Sequence, residues 1–211
     1  MQCIDLSFGL IGSELPVDNG YALYSAICSA LGGHLPEGVG VSSIGGFYLG
    51  DGRVSISKMN RLRIRTPVER IPEILTLAGR FLDIGGYEIR LGVPNIQALA
   101  PASKLVSRIV TIKGFEDPDP FLEAVGRKLA ELEVDAHAYI PLVKMGERKG
   151  QPMRRIVRIK NRKIIGFTVI LDGLSDTDSL KVQEHGVGGR RHMGCGMFLP
   201  VKPEKGNARG L

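Results

Sequence analysis

A glycine-rich run near the end of the chain has the residue types of an anion-binding loop. Residues 186–196 contain five glycines. Glycine adopts positive φ at low cost, and such a backbone can present a row of exposed N–H donors to a ligand. The side chains of Arg190, Arg191 and His192 add groups that suit phosphate oxygens. We predict a phosphate-contacting loop that includes Gly188 and Gly189; the alternative is a glycine-rich turn.

Two common nucleotide-binding loops do not fit this run. A Walker loop places Lys followed by Ser or Thr after its last glycine, but Gly194 is followed by Cys195. A Rossmann fingerprint needs glycine three residues after Gly188, where Arg191 stands, and it belongs early in its fold. These mismatches exclude the two classes of nucleotide-cofactor site, and we predict no cofactor.

A second feature is a cationic segment at residues 144–163. It holds nine Lys or Arg residues and a single acid, Glu147, for a net charge of +8. The whole chain carries +6, so the remainder is −2 and the basicity is local. A local cationic surface favours binding to an RNA backbone, and the alternative is a solvated basic face. The residues predicted to contact RNA are Arg154, Arg155, Arg158, Lys160, Arg162 and Lys163.

Other composition signals narrow the class of protein. Cys3, Cys28 and Cys195 are odd in number and widely spaced, so we predict reduced thiols and no metal site. Nothing approaches an apolar run of about 20 residues, and the start lacks a signal-peptide pattern. These features predict a soluble, cytoplasmic protein.

The first half of the chain has secondary-structure elements in the predicted order β-α-β-β-α-β, and these elements must position the groups described above. Residues 3–10 form a predicted strand, and a helix follows with Asp18 or Asn19 as its N-cap and Gly32 at its end. Alternation in residues 61–65 predicts a strand with one buried and one basic face. The remaining predicted elements are a strand at 39–44, a glycine-rich excursion at 45–52, a helix at 67–82 and a strand at 87–93.

The second half repeats that order. The predicted elements are strands at 105–112 and 136–142, a helix at 118–132, strands at 154–160 and 163–171, and one or two helical turns within 175–184. Asn161 and Arg162 are the expected hairpin turn. The prediction is an α+β chain of tandem ferredoxin-like (RRM-like) domains, β-α-β-β-α-β repeated, with a C-terminal glycine-rich loop. The expected domains are 1–95 and 101–203, with a tail at 204–211.

Two motifs together resemble a known family. One runs from Asn19 to Ala26 as Asn-Gly-Tyr-Ala-Leu-Tyr-Ser-Ala, with a histidine beyond it; the other is the C-terminal Gly-x-Gly-Gly-Arg-Arg-x-x-Gly-x-Gly followed by apolar residues. They resemble the CRISPR-associated endoribonucleases of the sixth Cas family (RAMP superfamily), especially its Myxococcus-type (MYXAN) branch. Asn19 departs from the histidine expected in some relatives. The resemblance implies the tandem fold, binding of CRISPR repeat RNA, and metal-independent cleavage leaving a 5′-hydroxyl and a 2′,3′-cyclic phosphate.

The resemblance implies roles for two residues in the first half. His34 is the candidate for proton transfer, because imidazole titrates near neutral pH; the alternative is an ordinary loop histidine. Tyr21 is the candidate for positioning the nucleophile, and the alternative is a core aromatic. We interpret His137 as a half-exposed strand residue and His185 as a cap for the preceding turn.

Three functions remain open at this point. The first is an endoribonuclease that cuts precursor CRISPR RNA (pre-crRNA) into mature crRNA, working alone or with other Cas subunits of a type I effector complex. The second is a related subunit that binds crRNA without cutting. The third is a regulatory domain for a small anion, which leaves the cationic segment unexplained. No membrane partner is expected.

Overall fold

The computed structural model describes residues 2–201, so Met1 and the expected tail at 204–211 lie outside the described residues. The first half contains eight strands and two helices. In chain order these are β1 (Cys3–Ile11), β2 (Glu14–Pro16), α1 (Gly20–Ala30), β3 (Gly40–Val41), β4 (Phe47–Gly50), β5 (Arg53–Ser55), β6 (Arg61–Pro67), α2 (Ile71–Leu75), β7 (Phe81–Asp83) and β8 (Glu88–Ala98).

The first main sheet has the ferredoxin-like strand order. Its five antiparallel strands run β3-β6-β1-β8-β7, in which β1 is central and pairs with both β6 and β8. One side of α1 buries Leu23 and Ile27 in a core that also includes Leu6 and Phe8 of β1. Apolar residues at these spacings therefore produce a sheet with a helix packed on it.

The predicted second helix is much shorter in the structure. A 3₁₀ turn at Val68–Arg70 leads into α2, which ends at Leu75, and Leu82 lies in β7. Gly79 has φ +78, which breaks the helical path, and Leu82 pairs with Ile89 of β8. The apolar residues whose spacing predicted one long helix thus lie partly in a short helix and partly in an edge strand.

The expected glycine-rich excursion at 45–52 contains β4, which belongs to a small sheet that the sequence did not predict. Strands β2, β5 and β4 form a three-stranded antiparallel sheet. Its edge strand β4 exposes Phe47 and Tyr48, and the preceding strand, predicted at 39–44, shrinks to β3. Strand β8 instead extends past its predicted end to Ala98, so residues 99–103 connect the two main sheets.

The second half has its own ferredoxin-like sheet. Its elements are β9 (Lys104–Val110), α3 (Pro118–Glu131), β10 (His137–Tyr139), β11 (Arg154–Ile159), β12 (Arg162–Asp172), α4 (Asp176–His185) and β13 (Leu199–Pro200). The strands run β10-β12-β9-β13, and β11 pairs with the first part of β12. Phe121 and Val125 of α3 pack with Phe167 of β12 in a second core. Two cores under two such sheets confirm the tandem α+β fold.

Two local details of this half differ from the prediction. The turn between β11 and β12 is Lys160-Asn161, because Arg162 already pairs with Ile159 and Lys160 takes positive φ. Helix α4 has 10 residues, and the hydroxyl of Ser175 accepts a hydrogen bond from the Asp178 N–H at its start. A good N-cap therefore supports a longer helix than the polar sequence indicated.

The predicted basic face of β6 is wrong at Arg65, which is 0% exposed. Its guanidinium donates to both carboxylate oxygens of Asp5 at 2.8 and 2.9 Å. It also donates to the carbonyls of Gln183 in α4 and Phe198 before β13, at 2.7 and 2.9 Å. This residue is therefore a buried tie between the two halves, and its charge is satisfied there.

Candidate active site and nucleic-acid interface

His34 lies in the loop between α1 and β3. Gly32 and Gly33 follow α1 with φ +87 and +127, a left-handed path that turns the chain away from the helix axis. The side chain of His34 is exposed. The structure therefore leaves this imidazole accessible to a ligand, at the junction between a core helix and the edge strand of the first sheet.

The start of α1 is braced by a residue that departs from the expected family pattern. Asn19 occupies the N-cap position, yet its side chain does not cap the helix. Its amide donates to the carbonyl of Ile44 at 2.8 Å, and its carbonyl oxygen accepts from the Ile44 N–H at 3.1 Å. The side chain is buried, so at this position asparagine has a structural role that a proton-transferring histidine would not fill.

The glycine loop docks directly on α1. A 3₁₀ turn at Arg191–Met193 contacts both α1 and β3. A Cβ added at Gly20, the first residue of α1, would collide with the carbonyl oxygen of Met193. One turn further along α1, the ring of Tyr24 lies 4.7 Å from the ring of His192, centroid to centroid. The loop of the second half and the first helix thus share one packed contact.

The backbone of the loop does not present the expected row of free donors. The N–H of Gly189 donates to the carbonyl of Thr111 at 3.0 Å, and that of Gly196 donates to Ile109 at 2.7 Å. Other N–H groups that bond within the protein are those of Gly186, Val187, Met193 and Cys195. Ligand contact must therefore come largely from the loop's side chains.

The two arginines of the loop have different surroundings. Arg190 has φ +64 and donates to the hydroxyl of Thr111 at 3.3 Å. The Nε and Nη2 atoms of Arg191 are buried and have no hydrogen-bond partner among residues 2–201. Burial, with the nearby charge of Arg65, lowers the pKa of Arg191. A guanidinium with unsatisfied donors is suited to receive an anionic oxygen.

Arg191 lines a cavity of about 530 Å³ between the halves. Glu37, three residues after His34, lies on the same cavity, as does His185 at the end of α4. The other lining residues are Cys3, Gly38, Pro67, Glu69, Arg70 and Glu184. Three carboxylates in this wall oppose a polyanion, so Arg191 itself, rather than the whole cavity, suits phosphate.

The cationic segment forms the hairpin of β11 and β12. The side chains of Arg154, Arg158, Lys160, Arg162 and Lys163 are exposed. Arg155 is half-buried and donates to the hydroxyl of Thr168 at 3.1 Å, and desolvation lowers its pKa. Arg155 thus stabilises the hairpin, while the other five form the cationic surface.

The hairpin and the glycine loop lie side by side. Val157 of β11 packs with Ile109 and with Cys195 of the loop. The backbone N–H of Arg158 donates to the Asp18 carboxylate at 2.7 Å, just before α1. The structure therefore brings together the hairpin, the loop and the start of α1, three segments that are distant in the sequence.

Tyr21, predicted to position the nucleophile, and His137, interpreted as a strand residue, lie on separate elements. Tyr21 is half-buried on the first turn of α1, ten residues before Leu31 and so about 15 Å from that end of the helix. His137 is exposed on β10 and stacks on Tyr139. The pair of Tyr24 and His192 was not predicted as a unit, because only the fold brings position 24 to position 192.

Within residues 2–201, no cluster of three or more His, Cys, Asp or Glu side chains could hold a metal ion. Over the same residues, no helix is both long and apolar enough to span a bilayer.

Comparison with solved structures defines the class of the fold. A structure described as CRISPR associated protein Cas6 aligns with a TM-score of 0.62 at 16% identity, covering 95% of this chain and 99% of that chain. A Cas6-related protein from Pyrococcus furiosus aligns with the same TM-score at 18% identity, covering 95% of this chain and 99% of its own. The chain is thus a tandem ferredoxin-like protein with a C-terminal glycine-rich loop.

Sequence comparison assigns the family. The Cas6 family model, described as Cas6 Crispr, matches residues 4–203. The CRISPR-associated endonuclease Cas6 of Myxococcus xanthus (strain DK1622) is 39% identical over 208 residues, which are 95% of this chain and 82% of that protein. The chain belongs to the Cas6 family. This result confirms the resemblance seen in the two sequence motifs, including its Myxococcus-type character.

Proposed function

We propose that this protein is a metal-independent endoribonuclease that binds CRISPR repeat RNA and cuts pre-crRNA to generate mature crRNA. The proposal rests mainly on one arrangement: the glycine loop packs against α1 on one side and against the cationic hairpin on the other. An RNA held by the hairpin and the loop would thus lie beside the helix that leads to His34. The endonuclease name of the Myxococcus relative supports the same activity.

The proposed chemistry needs two proton transfers. The 2′-oxygen loses its proton and bonds to phosphorus, and the bond from phosphorus to the 5′-oxygen breaks as that oxygen gains a proton. The products are a 2′,3′-cyclic phosphate and a 5′-hydroxyl. His34 performs one of these transfers because its imidazole is exposed, and imidazole is the commonest general acid or base in enzymes. Tyr21 is assigned the lesser role of positioning the RNA.

RNA binding is assigned to the hairpin and the loop. Their exposed cations contact phosphates of an A-form stem, which reads shape more than sequence. The proposed contacts are Arg154, Arg158, Lys160, Arg162, Lys163, Gly188, Arg190, Arg191 and His192, with Arg155 holding the hairpin in place; Gly189 is left out because its N–H is bonded to Thr111. We place the protein in the cytoplasm. Its proposed domains are residues 1–95 and 101–203. Its further proposed partners are other Cas subunits of a type I effector complex.

The function is tested with labelled repeat RNA from the neighbouring CRISPR array. We expect the purified protein to cut it at one position, at the same rate with and without EDTA. The downstream product should accept phosphate from a polynucleotide kinase at its 5′ end, and the upstream product should carry a cyclic phosphate. Cleavage that requires added divalent metal would contradict the mechanism. A gel shift without shortening of the RNA would identify a non-catalytic crRNA-binding subunit instead.

The hairpin's role predicts a salt-dependent loss of affinity. The double variant Arg162→Ala with Lys163→Ala should weaken RNA binding and reduce the slope of log K against log salt by about 0.7–0.9 per lost phosphate contact. The matched control is Arg127→Ala with Lys128→Ala, two exposed cations of α3. Filter binding at several salt concentrations measures both. Equal slopes for the two variants would remove the hairpin from the interface.

A further inference from the structure

His192 has a placement that its expected role in phosphate binding does not explain. We propose that the imidazole of His192 accepts the proton of the attacking 2′-hydroxyl, which leaves His34 to protonate the departing 5′-oxygen. This assignment rests on the proposed function and divides its two proton transfers between the halves of the chain. His192 then contacts the sugar beside the scissile phosphate.

The loop holds the His192 ring in a defined position. Positive φ at Arg190 and at Gly194 brackets the 3₁₀ turn that carries the ring. The ring packs against Tyr24 with a centroid distance of 4.7 Å and an angle of 52° between the planes. A base must be oriented toward the proton that it removes, and this aromatic contact supplies an orientation.

The charge state of His192 suits a base better than a phosphate ligand. Partial burial, and then the nearby positive charge of Arg190, lower its pKa below the ordinary 6.5. The ring is therefore mostly neutral at pH 7, so one ring nitrogen can accept a proton and the ring adds little charge toward a phosphate. The titratable groups beside the ring are Tyr24 from α1 and Arg190 from its own loop, and β3 consists of Gly40 and Val41, which do not titrate.

The fold also relates His192 to His34. The turn carrying His192 contacts α1 and β3, and the loop carrying His34 joins those same two elements. Arg191, next to His192, and Glu37, close to His34, line the same cavity. Arg191 precedes His192 in the 3₁₀ turn, and its unpartnered donors suit the negative charge that develops on phosphorus.

Each proton that moves in the proposed cleavage step has a donor and an acceptor. The 2′-O–H bond breaks, its proton goes to neutral His192, and the 2′-oxygen bonds to phosphorus. The P–O5′ bond breaks, and the 5′-oxygen takes a proton from the protonated form of His34. The enzyme ends with the two histidines in exchanged protonation states, and exchange with water restores them.

The first test uses His192→Phe, which keeps an aromatic ring against Tyr24 but cannot accept a proton, and His192→Asn as a second variant. We expect the single-turnover rate to fall roughly 10²–10⁴-fold in both, the usual contribution of a general base. The wild-type rate should rise with pH through an apparent pKa below 6.5, and this limb should disappear in the variants. His137→Asn, an exposed histidine on β10, is the control and should keep the wild-type rate.

A modified RNA separates the base from the acid. A sulfur in place of the bridging 5′-oxygen at the cleavage site gives a leaving group that needs no proton. This substrate should restore the rate of His34→Ala and should leave His192→Phe slow. Restoration of His192→Phe, or an unaltered rate of that variant on normal RNA, would overturn the role of His192. A wild-type protein that cannot cut the repeat overturns the proposed function itself, so the two failures are distinguishable.

Discussion

Replacing His34 by alanine is expected to lower the rate of repeat-RNA cleavage by about 10²–10⁴-fold, the contribution of a positioned proton donor or acceptor. The side chain is exposed in the loop after α1, where its removal creates no cavity and breaks no packed contact of the core. Stability and RNA affinity should therefore stay near wild type. Single-turnover cleavage measures the first effect, and thermal unfolding and gel-shift titration measure the other two.

A control keeps this result specific to position 34. His137→Ala removes another exposed histidine, from β10 in the second sheet, and should change none of the three measurements. If His34→Ala cuts at the wild-type rate, the proton transfer belongs to another group and the assignment of His34 is wrong. If His34→Ala loses RNA binding together with cleavage, His34 is a binding residue, and its assignment to proton transfer is again contradicted.

The parts of the fold that the sequence predicted depend on local patterns. Apolar spacing and the pair Gly32-Gly33 define α1, and alternation defines β1 and β12, so each could be placed within a few residues. The loop at 186–196 was recognisable because four of its five glycines adopt positive φ, a conformation that other residues rarely adopt. The candidate histidine could be named because it follows a clear helix end and because the family resemblance implies a histidine in this region.

The parts that the sequence did not predict depend on contacts between distant residues. Alternation in β6 correctly indicated a strand but could not show that one of its arginines meets carbonyls more than 100 residues away. Likewise, nothing near Tyr24 indicates that a histidine from the glycine loop packs on it. In both cases the local pattern gives the direction of the side chain, and only the docking of the two halves gives its partner.

The largest effect on stability is expected from Arg65. Its alanine variant leaves the Asp5 carboxylate buried without its main partner and leaves two carbonyls without a donor. Removing one member of a buried ion pair costs about 3–5 kcal/mol, and we expect a loss of that size in the free energy of unfolding. Urea denaturation followed by circular dichroism measures it.

Arg63 provides the matched comparison for Arg65, two residues away on the same strand. Its side chain is partly exposed and lies 3.3 Å from the same Asp5 carboxylate, which stays paired with Arg65 when Arg63 is removed, so Arg63→Ala should cost about 1 kcal/mol, the net contribution of one hydrogen bond. Equal losses from both variants would contradict the view that burial makes Arg65 essential.

Because Arg65 ties β6 to α4 and to the residue before β13, its loss should also displace the glycine loop between them. In Arg65→Ala molecules that remain folded, cleavage should therefore fall even though Arg65 itself is sealed from the RNA. That combined result would show that the two ferredoxin-like halves must be held together for the loop to meet α1.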